Sequence, residues 1–394
     1  MLQTMTQAPP VPVSSPSHTG ATLTIDLAAV AENYRLLQDR VGPGVRCGAA
    51  VKADCYGLGA RQIAPVLFEA GCRDFFVAHL DEGLALRAWL PAAASIMILN
   101  GLMPGCEANC ANARLIPVLN SVEQVEAYVA EGRRRGQALR AFLQVDSGMS
   151  RFGLSPRDVE RLASAPEQMA GLEIACVMSH LACADEPDHP ANAQQLAMFR
   201  ALAAHWPDAQ RSFANSSGIF LGPDFHFNLT RPGAALYGIN PTPYQANPMR
   251  PVARLVARVI QTRTIGPGDH VGYGFTYGVS KPTRLATLAV GYADGISRML
   301  GNRGVVHLRG AACPIVGRVS MDCLTIDLSG LGDEAVAPGT EVEIIGAHQS
   351  VDAVAGTMGT IGYEVLTSLG SRFNRIYRSP SVGGTPRTTF GDRP

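Results

Sequence analysis

The chain of 394 residues is 46% hydrophobic and carries 33 basic against 33 acidic side chains. That length suits two domains, or one large barrel with an appendage, and the apolar fraction is ample for a sizeable core. The balanced charge excludes an electrostatic footprint for nucleic acid or an anionic membrane surface, and no apolar run is long enough to span a bilayer.

Residues 1–20 are rich in Pro, Ser, Thr and Gln and lack both a basic start and an apolar run, so they read as a disordered extension and not as a signal peptide. Asp26 is placed to cap a helix running to Val41, with Leu27, Val30, Tyr34 and Leu37 on one face. A strand follows over Val45–Val51, then a helix near Arg61–Ala70 and a strand Asp74–Ala78. The alternation continues with a helix Asp81–Leu90, a strand Ser95–Leu99, a helix near Cys106–Asn112 and a strand Leu115–Val118. Helix Val122–Arg135 leads to strand Arg140–Val145, and helix Pro156–Ala163 to strand Leu172–Met178. Helix Ala191–His205, strand Arg211–Ala214 and a short strand near Phe227–Thr230 complete the series. Eight strands separated mostly by helical patterns predict a parallel sheet closed into a (β/α)8 TIM-type barrel over residues 21–244.

The rhythm changes at the proline-rich linker Gly238–Arg250. Apolar runs at Leu255–Ile265, Leu285–Val290, Val305–Leu308, Cys323–Leu328 and Val342–Ile345, parted by turn residues, predict a mostly β domain over residues 245–378. Helical patterning returns at Val351–Met358 and Tyr363–Leu369, and residues 379–394 read as a flexible tail. Nine irregularly spaced cysteines, with no histidine near the Cys106 and Cys110 pair, read as reduced, mostly buried thiols of a cytoplasmic protein.

Barrel enzymes keep their chemistry at the C-terminal ends of the strands. Lys52 and Tyr56 follow the first strand, Arg151 the fifth, His180 the sixth, Asn215 and Ser216 the seventh, and Arg231 with Gly233 the eighth. Taken singly, each has an ordinary explanation: a surface lysine, a core histidine, rim arginines, a helix N-cap. Their convergence on one rim is harder to attribute to chance. A lysine on a rigid strand end can form a Schiff base with an aldehyde cofactor or act as a base once its pKa is lowered. Loops after strands seven and eight commonly bind phosphate. With no metal-ligand cluster, these features point to pyridoxal 5'-phosphate (PLP).

On those residues the sequence resembles the alanine racemases. The similar motifs are Val-Lys-Ala-Asp-Cys-Tyr-Gly at 51–57, Asp-Ser-Gly-Met-Ser-Arg-Phe-Gly at 146–153, Ser-His at 179–180, Asn-Ser at 215–216 and Arg-Pro-Gly-Ala-Ala-Leu-Tyr-Gly at 231–238. In the second domain they are Gly-Tyr-Gly at 272–274, Gly-Tyr-Ala-Asp-Gly at 291–295, Gly-Arg-Val-Ser-Met-Asp at 317–322 and Tyr-Glu-Val at 363–365. The resemblance implies a PLP-dependent isomerase that interconverts L- and D-alanine and supplies D-alanine for peptidoglycan. It implies that Lys52 holds PLP and serves D-alanine as a base, with Tyr273 as the opposing base for L-alanine. Arg231 then faces the pyridine nitrogen, with His180 beside it. Tyr56, Asn215, Ser216, Gly233, Ala234 and Tyr363 complete the cofactor site, while Arg151, Met321 and Tyr292 meet the substrate. It also implies a homodimer whose active sites are shared between chains.

One departure stands out. The family usually has a lysine, often carbamylated, seven residues before the arginine of the Met-x-Arg block, and here that position is Gln144. The alternatives weighed are a broader-specificity racemase acting on serine or other small amino acids, a decarboxylase of related fold, and a non-catalytic PLP-binding homeostasis protein. Arg231 in place of an acidic partner disfavours the decarboxylase. The second domain with Tyr273 disfavours the homeostasis protein, which resembles the barrel alone.

Overall fold

The computed structural model describes residues 19–379 and the backbone of Thr388–Phe390. Residues 1–18 and the rest of the expected tail lie outside the described residues.

Parallel strands Ala49–Ala50, Asp74–Val77, Ser95–Ile98, Ile116–Leu119, Leu139–Gln144, Leu172–Met178 and Gln210–Ser212 pair in chain order. The last strand, Leu229–Thr230, pairs with Arg46–Cys47 in parallel. Backbone N–H groups of Asn228 and Arg231 donate to Arg211 and Ala214 carbonyls at 3.0 and 2.9 Å, which closes the barrel. At Gly48, between the two halves of the first strand, a Cβ would sit 2.8 Å from the Phe76 ring and 2.9 Å from the Asp74 carbonyl, so only glycine lets the strand pass.

Side chains fill the barrel. Phe76, Met97, Val118, Phe142, Cys176, Met178 and Leu229 form a buried interior cluster, with the Phe76 and Phe142 rings 6.4 Å apart, edge to face. Each such side chain taken from water contributes on the order of 1.5–3 kcal/mol. Helices pack outside, and the expected Asp26 cap operates. Asp26 Oδ1 accepts from Ala29 N–H at 3.0 Å to start Leu27–Val41. Ser121 caps Val122–Arg135, which ends on Gly136 in the left-handed region at φ 65.

The second domain is built on a nine-stranded sheet whose backbone element is the 13-residue strand Ala253–Ile265. It pairs antiparallel with Glu341–Ile345 and Thr283–Leu288, and a register shift between Val259 and Gln261 lets it serve both. Residues Ala21–Asp26 form a strand of this same sheet, which the sequence reading did not include. It lies antiparallel to Ala253–Ile265 and parallel to Asn374–Arg378. Leu23 and Ile25 alternate inward and are fully buried. From Ala21 the path thus runs from the β domain to the barrel and back. Buried Asn33 ties the crossing: its Nδ2 donates to the Leu236 and Arg250 carbonyls at 3.3 and 2.9 Å, and its Oδ1 accepts from Arg250 N–H at 2.7 Å.

Candidate active site

The C-terminal rim of the barrel opens into a cavity of about 550 Å3. Lys52, Tyr56, Arg151, His180, Asn215, Ser216, Arg231, Gly233 and Ala234 line it from the barrel, and Tyr363 from helix Gly362–Thr367 of the β domain. The rim therefore assembles as expected.

Lys52 is carried on an unusual piece of backbone. Ala53, Asp54, Cys55 and Tyr56 all have positive φ, between 51 and 57, forming one turn of left-handed helix. Each non-glycine residue there costs roughly 1–2 kcal/mol. The turn persists because it is held from several sides. Glu82 Oε1 accepts from Ala53 N–H at 2.6 Å, and Asp54 Oδ1 accepts from Ala60 N–H at 2.6 Å. From the β domain, Arg375 donates to the Gly57 carbonyl at 2.6 Å, and the Tyr377 hydroxyl to the Leu58 carbonyl at 3.0 Å.

Lys52 and Lys281 are the two lysines of the whole chain. Burial, Arg151 and Arg231 hold the Lys52 amine below its ordinary pKa, with Glu82 opposing them. Arg231 is buried and meets neutral acceptors. It donates to Ser212 Oγ at 2.5 Å, to the Ser179 carbonyl at 2.6 Å, and to His180 Nδ1 at 3.5 Å. Burial lowers its pKa to about 10, so it stays cationic at neutral pH. Burial and the neighbouring cations Arg231, Arg151 and Lys52 push His180 down to about 3, so its ring is neutral and accepts at Nδ1.

Ser216 and Asn215 divide the local work. Asn215 Oδ1 caps the short helix Ser217–Phe220 by accepting from Gly218 N–H at 2.8 Å. Ser216 Oγ accepts instead from Gly233 and Ala235 N–H at 2.9 and 3.2 Å, drawing the loops after strands seven and eight together. A Cβ on Gly233 would lie 2.3 Å from the Tyr56 hydroxyl, so this cradle depends on glycine. The Tyr56 ring is 4.8 Å from that of Tyr237 and 5.9 Å from that of Tyr363. A phosphate fits the donor set of Ser216, Tyr56, Tyr363 and the loop amides. A ring nitrogen acceptor fits Arg231, a buried cation whose hydrogen-bond partners are all neutral. The lysine between them suits an aldehyde, so the residues present fit PLP.

Three expected residues do not line this cavity. Tyr273, Tyr292 and Met321 lie on the β domain and are 71%, 42% and 52% exposed. Tyr273 sits between Gly272 and Gly274, both at positive φ, with the Arg318 guanidinium packed against the turn. Gln144 does line the cavity with Arg151 and is buried, and no hydrogen bond between the two is formed. The sequence reading missed Phe76, Leu99, Asn100 and Met178, which also line the cavity. The rule that located Lys52 would have located Leu99, Asn100 and Met178, which stand at or just past a strand end, whereas Phe76 lies within its strand.

Comparison with known proteins agrees with this geometry. The family model for the alanine racemase N-terminal domain matches residues 25–241, and that for the alanine racemase C-terminal domain matches residues 252–377. A catabolic alanine racemase of Agrobacterium fabrum is 51% identical over 367 residues, covering 93% of this chain and 94% of that protein. An alanine racemase of Rhodospirillum rubrum is 48% identical over 357 residues, covering 91% and 96%. The crystal structure of an alanine racemase from Bartonella henselae with covalently bound pyridoxal phosphate superposes with a TM-score of 0.88 at 43% identity, covering 91% of this chain and 99% of that one. With both domains matched and the rim assembled around Lys52, the chain belongs to the alanine racemase family.

Proposed function

We propose that this chain is a PLP-dependent isomerase that interconverts L- and D-alanine, with Lys52 and Tyr273 as its two bases. The observation that carries the reading is the pairing of Lys52, its amine depressed by burial and two guanidinium groups, with a buried Arg231 aimed across the same cavity. When bound, PLP supplies an electron sink that acidifies the Cα–H of an attached amino acid. The protein residues then determine what becomes of that proton.

Lys52, held unprotonated more readily than a free lysine, anchors the cofactor and exchanges a proton at one face of Cα. Racemisation needs a second base on the opposite face, a role assigned here to the Tyr273 hydroxyl. Arg231 donates to the ring nitrogen without surrendering its proton. That weakens the sink and favours return of a proton to Cα over side reactions. Ser212 Oγ and the Ser179 carbonyl fix the Arg231 guanidinium, with the neutral His180 Nδ1 beside it at 3.5 Å. Ser216, Tyr56, Tyr363 and the Gly233–Ala234 backbone hold the phosphate, with Asn215 shaping the loop. Arg151, which lines the cavity and has no carboxylate partner among the described residues, is available for the substrate carboxylate, while Met321 and Tyr292 are assigned to the substrate by the resemblance alone.

Tyr273 is 71% exposed and does not line its own chain's cavity, which supports assigning the second base to another copy. A two-fold dimer would build two composite sites, each joining Lys52 of one chain to Tyr273 of the other. The chemistry is tested by chiral analysis of products from a panel of L-amino acids. Racemisation confined to lysine, arginine or ornithine would overturn the alanine assignment. The sharing is tested by dissociating and reassociating a Lys52→Ala chain with a Tyr273→Ala chain. Shared sites return about a quarter of the wild-type activity, since half of the randomly paired dimers carry one intact site. No return, with heterodimers confirmed by mass, would reject sharing.

A further inference from the structure

Glu82 stands in the first turn of helix Leu80–Trp89, where a glutamate ordinarily caps its own helix. Here it does more. Oε2 accepts from the N–H groups of Ala78 and His79 at 2.6 and 3.1 Å, the local capping contacts. Oε1 reaches across to the neighbouring strand end and accepts from Ala53 N–H at 2.6 Å. Ala53 follows Lys52 directly and is the first residue of the left-handed turn. One carboxylate therefore ties the ends of the first two barrel strands together with three charge-assisted bonds, each stronger than a neutral one. Among the described residues nothing else accepts from the Ala53 N–H, so without Glu82 the strained turn keeps on the Lys52 side only the Cys55 N–H to Val51 carbonyl bond at 3.1 Å.

We propose that Glu82 is the positioning residue for Lys52: by holding the Ala53 amide to the Ala78–His79 corner it fixes where the Lys52 amine stands in the cavity. The proposal rests on the assignment of Lys52 made above and extends it to how that amine is aimed. The surroundings are consistent with a second, electrostatic part. Arg151, Arg231 and the neutral His180 face Lys52 from strand ends five, eight and six, and Tyr56, Tyr363 and Glu364 line the same cavity. Glu82 is the carboxylate acting on the lysine against the two arginines.

Two variants separate reach from charge. Glu82→Gln keeps the length and one carbonyl acceptor, but the NH2 that replaces the other oxygen cannot accept from an N–H, so the two strand ends can no longer both be held. Glu82→Asp keeps the charge and falls short of spanning both strand ends. Positioning predicts that both lose turnover by about ten- to a hundredfold in each direction, the scale of a reacting group displaced by an ångström, with KM within about threefold. It further predicts that the visible absorbance band of lysine-bound PLP shifts in both holoenzymes and that PLP is released more readily on dialysis. Turnover and band unchanged in the aspartate variant would reduce the effect to charge and overturn the proposal. Loss of thermal stability alone, with turnover and band intact, would reduce it to a helix cap and overturn it too. If neither variant folds, hydrogen exchange on the unaltered holoenzyme decides: the Ala53 amide should be as protected as the barrel strands, and exchange at the rate of an exposed loop overturns the proposal. That exchange and the PLP band do not depend on which amino acid is racemised, so failure of the alanine reading is distinguishable from failure of this one.

Discussion

The depressed His180 imidazole makes a measurable claim about how stability changes with pH. In the folded chain its pKa is about 3, against an ordinary 6.5 in the unfolded chain. Between those values the unfolded state binds a proton that the folded state refuses. Stability is therefore complete above about pH 6.5 and is lost as pH falls toward 3, at about 1.4 kcal/mol per pH step. From pH 7.5 to 5 the loss from this one group works out at about 2 kcal/mol. The ring opens onto the cavity, however, and cavity water screens part of the penalty, leaving about 1–2 kcal/mol. His180→Asn keeps an acceptor for Arg231 and cannot ionise. Urea unfolding of both proteins at pH 7.5 and 5 gives the difference of differences, in which carboxylates and the other eight histidines cancel. The wild type should lose about 1–2 kcal/mol more than the variant, and calorimetry should find up to one extra proton taken up on unfolding near pH 5. Identical pH dependence would show that His180 is not held neutral by burial and its cationic neighbours.

Three further outcomes are expected. Tyr273→Phe should cut turnover on the order of a hundredfold or more, while α-proton exchange with D-alanine in heavy water outlasts exchange with L-alanine, because Lys52 still serves its own face; equal, small losses would remove Tyr273 as a base. Gly233→Ala drives a Cβ to 2.3 Å from the Tyr56 hydroxyl, a steric cost of about 1–3 kcal/mol that should be read as weaker PLP retention on dialysis with little change in the circular dichroism. Gln144 cannot be carbamylated, so activity after degassing at low pH and return to neutral buffer should recover without added bicarbonate; a bicarbonate requirement would contradict this.

Much of the barrel was legible because its signals are local. Val122–Arg135 is bounded by a serine cap and a left-handed glycine, and Leu172–Met178 by turn residues, and both agree with their predicted bounds. The missed elements have distant partners or carry a misleading residue. Ala21–Asp26 alternates clearly, but the strands that claim it begin at Ala253 and Asn374. Ala311–Val316 carries Pro314, whose missing N–H argues against a strand, yet it pairs opposite Val305. Among the site residues, Lys52 was readable from type and position. The left-handed turn after it was not, since Ala53-Asp54-Cys55-Tyr56 has no glycine to announce it. Glu82, Arg375 and Tyr377 impose that conformation from 29, 318 and 319 residues away along the chain.

The placement of Ala21–Asp26 sets an order of events during synthesis. The ribosome delivers this strand early, but its antiparallel neighbour emerges more than two hundred residues later and its parallel neighbour later still. At about 5–20 residues per second the strand waits roughly 10–70 s with Leu23 and Ile25 unprotected. The helix that follows it can already dock on the nascent barrel. The barrel thus forms trailing an apolar ribbon, a natural target for holding chaperones. Because Arg375 and Tyr377 arrive on the last of these strands, the turn beside Lys52 receives its β-domain anchors only after the whole barrel has been made.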